Sequence, residues 1–175
     1  MRMKQANNIY LIGLMGAGKT TMGKKLAQAL QWPFYDSDRV IEETTGVSIP
    51  MIFEYEGEDG FRDREQEIIG YLTGLDDIVM ATGGGAILRP ENRQKLQQNG
   101  FVVYLECSIE RILQRTRRDT QRPLLQTENP RQRLEQLLQE REPLYRECAD
   151  FSVDTGIMQS KAALKAILTE YKKYG

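Results

Sequence analysis

The 175 residues hold 24 lysines and arginines against 25 aspartates and glutamates, with no histidine, for a formal net charge of −1 at pH 7. That balance gives no overall field to draw the chain to nucleic acid or an anionic membrane, and the lack of histidine removes His-based acid–base chemistry and most zinc sites. With 40% hydrophobic residues, 2 cysteines, no signal-like start and no run near the roughly 18 apolar residues of a membrane span, the chain is expected to be one cytoplasmic domain over residues 1–175.

The first apolar run, residues 9–12, reads as a strand, and GLMGAGKT follows at 13–20. Gly13, Gly18, Lys19 and Thr20 complete the pattern G-x-x-x-x-G-K-[ST] ahead of a helix expected over 20–30. Glycines let successive backbone amides curl toward one centre, and the helix adds its positive end. Lys19 suits outer phosphates and the Thr20 hydroxyl suits magnesium, so the site is expected to hold a nucleoside triphosphate.

A second strand over 33–35 leads into Asp36-Ser37-Asp38 and a helix over 39–45. Two readings stand side by side. The carboxylates can diverge, one toward a metal's water shell and one into the cleft as base for a hydroxyl nucleophile. Alternatively, Ser37 or Asp38 is a helix N-cap.

After the Gly-Glu-Asp-Gly stretch at 57–60, a helix is expected over 61–73, with Arg62 at its start. A third strand at 78–81 ends in Thr82-Gly83-Gly84-Gly85, which strips side chains from the sheet's carboxyl edge and offers backbone donors there. A helix at 90–98, a strand at 101–105 and a helix at 109–117 come next. A polar loop at 118–129 separates these from a helix at 130–146, which carries Arg141, and the chain closes with a strand at 151–153 and a helix at 161–171.

Nine arginines and no lysine lie between 111 and 146. They are either a solvated face or an anion site, and Arg62 and Arg141 carry the same ambiguity. Strands alternating with helices predict a parallel sheet covered on both faces. No D-x-x-G or N/T-K-x-D segment occurs, which argues against a guanine switch and leaves a motor or a small-molecule kinase.

Taken together, GLMGAGKT, Asp36-Ser37-Asp38, Phe61-Arg62, TGGG at 82–85, Arg122-Pro123-Leu124-Leu125 and the Arg141 segment resemble the shikimate kinase family. The resemblance implies an α/β fold: a three-layer α/β/α P-loop NTPase of nucleoside-monophosphate-kinase type, its five-stranded parallel sheet ordered 2-3-1-4-5. It implies ATP-dependent phosphorylation of the shikimate 3-hydroxyl by a monomer, on the route to aromatic amino acids, with ATP and shikimate as partners and magnesium as cofactor.

By the same resemblance a shikimate-binding segment spans about 36–61 and a lid about 116–127. Gly16, Ala17, Gly18, Lys19, Thr20, Thr21, Arg115 and Arg122 would hold ATP, and Thr20, with Asp36 through water, the metal. Asp38, Arg62, Gly83, Gly84, Gly85 and Arg141 would hold shikimate. Asp38, Lys19 and Arg122 would carry the chemistry, and Phe53 and Phe61 would wall the substrate ring. The rivals are a kinase of another hydroxylated acid such as gluconate and a silent ATP-binding regulator.

Overall fold

The computed structural model describes residues 7–116 and 128–174. The strands are β1 (Asn8–Ile12), β2 (Phe34–Asp36), β3 (Ile78–Ala81), β4 (Phe101–Glu106) and β5 (Phe151–Asp154). The helices are α1 (Lys19–Leu30), α2 (Ser37–Thr45), α3 (Ile49–Leu72), α4 (Pro90–Asn99), α5 (Ile109–Thr116), α6 (Pro130–Cys148) and α7 (Ser160–Tyr174). All strand pairs are parallel, in the order β2-β3-β1-β4-β5 that the resemblance implies.

The central strands serve two cores at once. In β1, Tyr10 and Ile12 join Met80, Val102 and Tyr104 under Ile69, Leu96 and Leu137 from α3, α4 and α6. Ile9 and Leu11 point the other way, joining Val79 and Val103 under Met22, Leu26 and Ile167 from α1 and α7. A side-chain period of two therefore buries every residue of the strand, which is why these strands read as unbroken apolar runs. Each buried aliphatic side chain contributes about 1.5–3 kcal/mol, so the two layers hold the sheet's carboxyl edge in place as a platform.

Several element ends differ from expectation, and those around α2 and α3 have a clear physical cause. β2 runs on through Asp36, and α2 begins at Ser37 rather than 39, because Asp36 itself caps the helix. Ahead of the helix expected from Phe61, which starts just past a break at Gly57, an unforeseen helical stretch begins at Ile49, with the Ser48 hydroxyl accepting from the Met51 amide at 3.4 Å. Of the glycines at 57 and 60, only Gly57 leaves helical geometry, at φ 72° and ψ −178°. Its positive φ makes the stretch a kink within a helix, and a side chain there would be strained. The segment at 36–61 is thus largely helical. No described helix is long and apolar enough to cross a membrane.

Gly100 joins α4 to β4 where no side chain fits. An added Cβ would sit 2.7 and 2.9 Å from Cδ2 and Cζ of Tyr10 and nearer still to Cε2. That ring is fully buried, and its hydroxyl accepts from Asn8 Nδ2 at 2.9 Å, so it has little room to yield. Gly100→Ala is expected to cost about 2 kcal/mol, seen as a lower urea midpoint at unchanged slope. An unchanged midpoint would show that the Tyr10 ring gives way.

Candidate active site

The loop after β1 turns on Gly13, Gly16 and Gly18, at φ 147°, 78° and 96°. These values lie in the region that side chains disfavour, and they carry the backbone around the start of α1. Lys19 is only 9% exposed, and its ammonium donates to the carbonyls of Gly13 and Leu14 at 2.5 and 2.7 Å. The cation is thereby held on the loop itself.

The Thr20 hydroxyl donates to Asp36 Oδ2 at 2.9 Å. The other oxygen of Asp36 accepts from the amides of Asp38 and Arg39 at 3.1 and 3.4 Å. Neither Ser37 nor Asp38 is the cap, because Asp36 occupies that position. A hydroxyl and a carboxylate beside a phosphate loop are hard oxygen donors of the kind magnesium takes, with phosphate oxygens and water completing its shell.

Two clefts meet at this loop. One of about 240 Å³ is lined by Ala17, Gly18, Thr21, Met22, Arg115, Thr155, Met158, Ser160 and Ala163. The other, of about 370 Å³, runs from Gly16, Lys19 and Thr20 across to Asp36, Asp38 and residues 82–84. Arg115 lines both, its Nη1 donating to the Gly16 carbonyl at 3.1 Å.

Behind Asp38 and the glycine strip of the second cleft lies buried charge. Arg62 donates through Nη1 to Glu65 Oε1 at 2.9 Å, with side chains 7% and 0% exposed. Arg141 on α6 is 2% exposed. Among the described residues, Asp38 Oδ1, Arg62 Nε, Glu65 Oε2 and Arg141 Nε and Nη1 have no hydrogen-bond partner. Folded proteins seldom leave such atoms unpaired, so the cluster has the donors and acceptors for an anionic, hydroxylated ligand.

Of the glycines at 83–85, Gly83 departs from expectation. The Gly83 amide is already taken by the buried Ser37 hydroxyl at 3.0 Å, so it is not an open donor. All three also supply room. An added Cβ would lie 2.6 Å from Asp38 Oδ1 at 83, 3.3 Å from Arg141 Nη1 at 84 and 2.5 Å from Arg62 Cζ at 85. The charged side chains press against bare backbone.

Burial dominates the electrostatics. It pushes the Asp38 carboxyl up to about 7, with the charges of Glu65 and Asp36 adding to the rise and Lys19 and Arg62 opposing it. Burial also raises Glu65, against the pull of Arg62, and lowers Arg141. A carboxyl poised near neutrality in a cleft is suited to taking a proton.

Asp38, Arg62, Arg141 and residues 83–85 therefore come together, as do Lys19, Thr20 and Asp36. Arg122 and the expected lid beyond Thr116 lie outside the described residues. Phe61 packs with Phe53 at 4.8 Å between ring centroids, in a small cluster with Ile41 and Ile52 beneath Arg62.

Sequence reading passed over Glu65 and Tyr145. Glu65 follows Arg62 by three residues and precedes Ile69 by four, which puts it on the buried face of α3. Tyr145 follows Arg141 by four on α6.

A parallel sheet in this order, with a phosphate loop after its first strand and a carboxylate cleft beside it, defines a P-loop phosphotransferase. The family model for shikimate kinase matches residues 15–172, and the chain belongs to that family. A shikimate kinase of Methylococcus capsulatus is 58% identical over 173 residues, covering 99% of this chain and 97% of the relative. The Acinetobacter baumannii shikimate kinase, solved in complex with shikimate, matches with TM-score 0.93 at 50% identity, covering 97% of this chain and 95% of that one. A gluconokinase from Sinorhizobium meliloti, at TM-score 0.56, 19% identity and 98% of each chain, shares the fold alone.

The Asp38 carboxyl ionises near 3.8 in the unfolded chain and near 7 in the folded one, so the folded state holds the extra proton between those values. Stability from this group therefore falls as pH rises from about 4 to about 7 and is flat above. Asp38→Asn removes the penalty. Its advantage in urea midpoint over the parent is expected to grow between pH 5 and pH 8, to at least about 1 kcal/mol. An advantage that stays level, or a variant weaker at pH 8, would contradict the assignment.

Proposed function

We propose that the chain transfers the γ-phosphoryl group of ATP to the 3-hydroxyl of shikimate, releasing ADP and shikimate 3-phosphate, on the route to aromatic amino acids. The observation that carries this reading is the pair of buried arginines with unpaired guanidinium nitrogens, packed against the glycine strip whose Gly83 and Gly84 line, with Asp38, the cleft that starts at the phosphate loop. Shikimate presents one carboxylate, which two guanidinium forks can hold by charge-assisted hydrogen bonds, and hydroxyls that a carboxylate can read.

In this reading Arg62 and Arg141 take the substrate carboxylate, while Asp38 orients the reacting hydroxyl and accepts its proton. The backbone at 83–85 lets the ring approach closely. Gly16, Ala17, Gly18, Thr21 and Lys19 hold the phosphates, Arg115 packs on the adenine, and Arg122 arrives from the lid. Thr20, with Asp36 through water, would hold magnesium, which supplies positive charge to the phosphate oxygens. Phosphoryl transfer asks the protein chiefly for position and charge, and these residues provide both.

The two cysteines form no disulfide, which suits the cytosolic setting we infer, and the enzyme is read as a monomeric single domain. A sugar-acid kinase is the weaker reading, since the likeness to a gluconokinase extends only to the fold. A silent regulator is disfavoured by the retention of Lys19, Asp38, Arg62 and Arg141 in one connected site.

A coupled assay of ADP release tests the proposal. Turnover is expected to depend on shikimate and to stay at background with gluconate; equal rates with and without shikimate would refute it. Arg62→Lys keeps the charge but loses the fork. It is expected to lower kcat/KM for shikimate by about 30-fold or more, roughly 2 kcal/mol, while KM for ATP stays within a few-fold. An unaltered shikimate value would remove Arg62 from the site.

A further inference from the structure

Tyr145 lies one helical turn beyond Arg141 on α6 and is fully buried. Its ring stacks on Tyr104 of β4, with centroids 5.0 Å apart and planes at 26°, so apolar packing already fixes the ring. Packing alone would be met equally by phenylalanine, and a buried hydroxyl without partners costs stability. Here the hydroxyl has two partners. It donates to the Gly84 carbonyl at 2.5 Å, and the positive charge of the Arg141 guanidinium lies beside it, holding the phenol below where burial alone would put it.

A phenol has one proton and two lone pairs, so with the proton committed to Gly84 the oxygen faces Arg141 as an acceptor. Arg141 keeps Nε and Nη1 without a partner among the described residues, and the Gly84 backbone lies against that Nη1. One oxygen therefore ties the loop peptide to the guanidinium while leaving two of its nitrogens for a ligand. A long arginine otherwise has several rotamers to choose from, and holding one of them in advance lowers the entropy lost on binding.

We infer that Tyr145 is a positioning residue, whose hydroxyl sets the register between Arg141 and the peptide at Gly84 so that both meet the substrate's carboxylate end. The inference rests on the reading of Arg141 and residues 83–85 as substrate contacts. It says nothing of the phosphate loop, which predicts a selective effect.

Tyr145→Phe keeps the ring and removes the hydroxyl that bonds Gly84 and faces Arg141. It is expected to raise KM for shikimate about tenfold, with kcat and KM for ATP within twofold of the parent. With a shikimate analogue whose carboxylate is replaced by a hydroxymethyl group, the same substitution is expected to change KM less than twofold.

Arg141→Lys serves as the reference. If Arg141→Lys raises KM for shikimate and Tyr145→Phe does not, the positioning role fails while the site reading stands. If neither raises it, the site reading itself fails. A Tyr145→Phe enzyme that melts lower but keeps its parent KM, or loses affinity for ATP and shikimate alike, marks the hydroxyl as merely structural. Should Tyr145→Phe not fold, 3-fluorotyrosine placed at 145 keeps the hydroxyl but weakens it as an acceptor. A rise of about twofold to threefold in KM for shikimate is then expected, and no change overturns the inference.

Discussion

The burial of two guanidinium groups with the Glu65 carboxylate and one oxygen of the half-buried Asp38, at one corner of a parallel sheet, is the constraint around which the rest is arranged. Removing such ions from water costs several kcal/mol each, and their attraction offsets this only when geometry and further hydrogen bonds are good. Here Arg62 and Glu65 form one close bond, yet among the described residues all four groups keep an unpaired atom. A corner tuned for stability alone would be apolar. The rigid two-sided core beneath β1, β3 and β4 supplies the stability that this corner subtracts.

Three consecutive residues show how tightly the corner is wired. Asp36 caps α2 and takes the Thr20 hydroxyl, Ser37 holds the Gly83 amide, and Asp38 faces the buried arginine and glutamate. The start of α2 is thus bound to the helix after the phosphate loop on one side and to the glycine strip after β3 on the other. A shift at any of the three strand ends would be felt at both halves of the cleft, which fits a reaction that depends on in-line placement of two substrates.

The sheet and the phosphate loop were legible in the sequence because their signals are local: apolar runs, a fixed spacing of glycine and lysine, and prolines at the first turns of α4 and α6. What escaped depends on partners distant along the chain. Arg62 and Arg141, which the resemblance named as substrate contacts, are of a residue type that normally faces water, and their burial shows only in the fold. Glu65 carried a faint signal in its three-residue spacing from Arg62. The glycines at 57 and 60 look like a turn, yet only Gly57 departs from the helix. The glycines at 83–85 look like donors, but the Gly83 amide is taken by Ser37, and the atoms that crowd against all three show a need for bare backbone that the sequence alone does not reveal.

The most direct test of this account is a crystal structure of the chain with shikimate and a non-hydrolysable ATP analogue. The shikimate carboxylate is expected within about 3 Å of guanidinium nitrogens of both Arg62 and Arg141, with a ring hydroxyl at hydrogen-bond distance from Asp38. A ring bound with its carboxylate turned away from both arginines, or with its hydroxyls remote from Asp38, would contradict it.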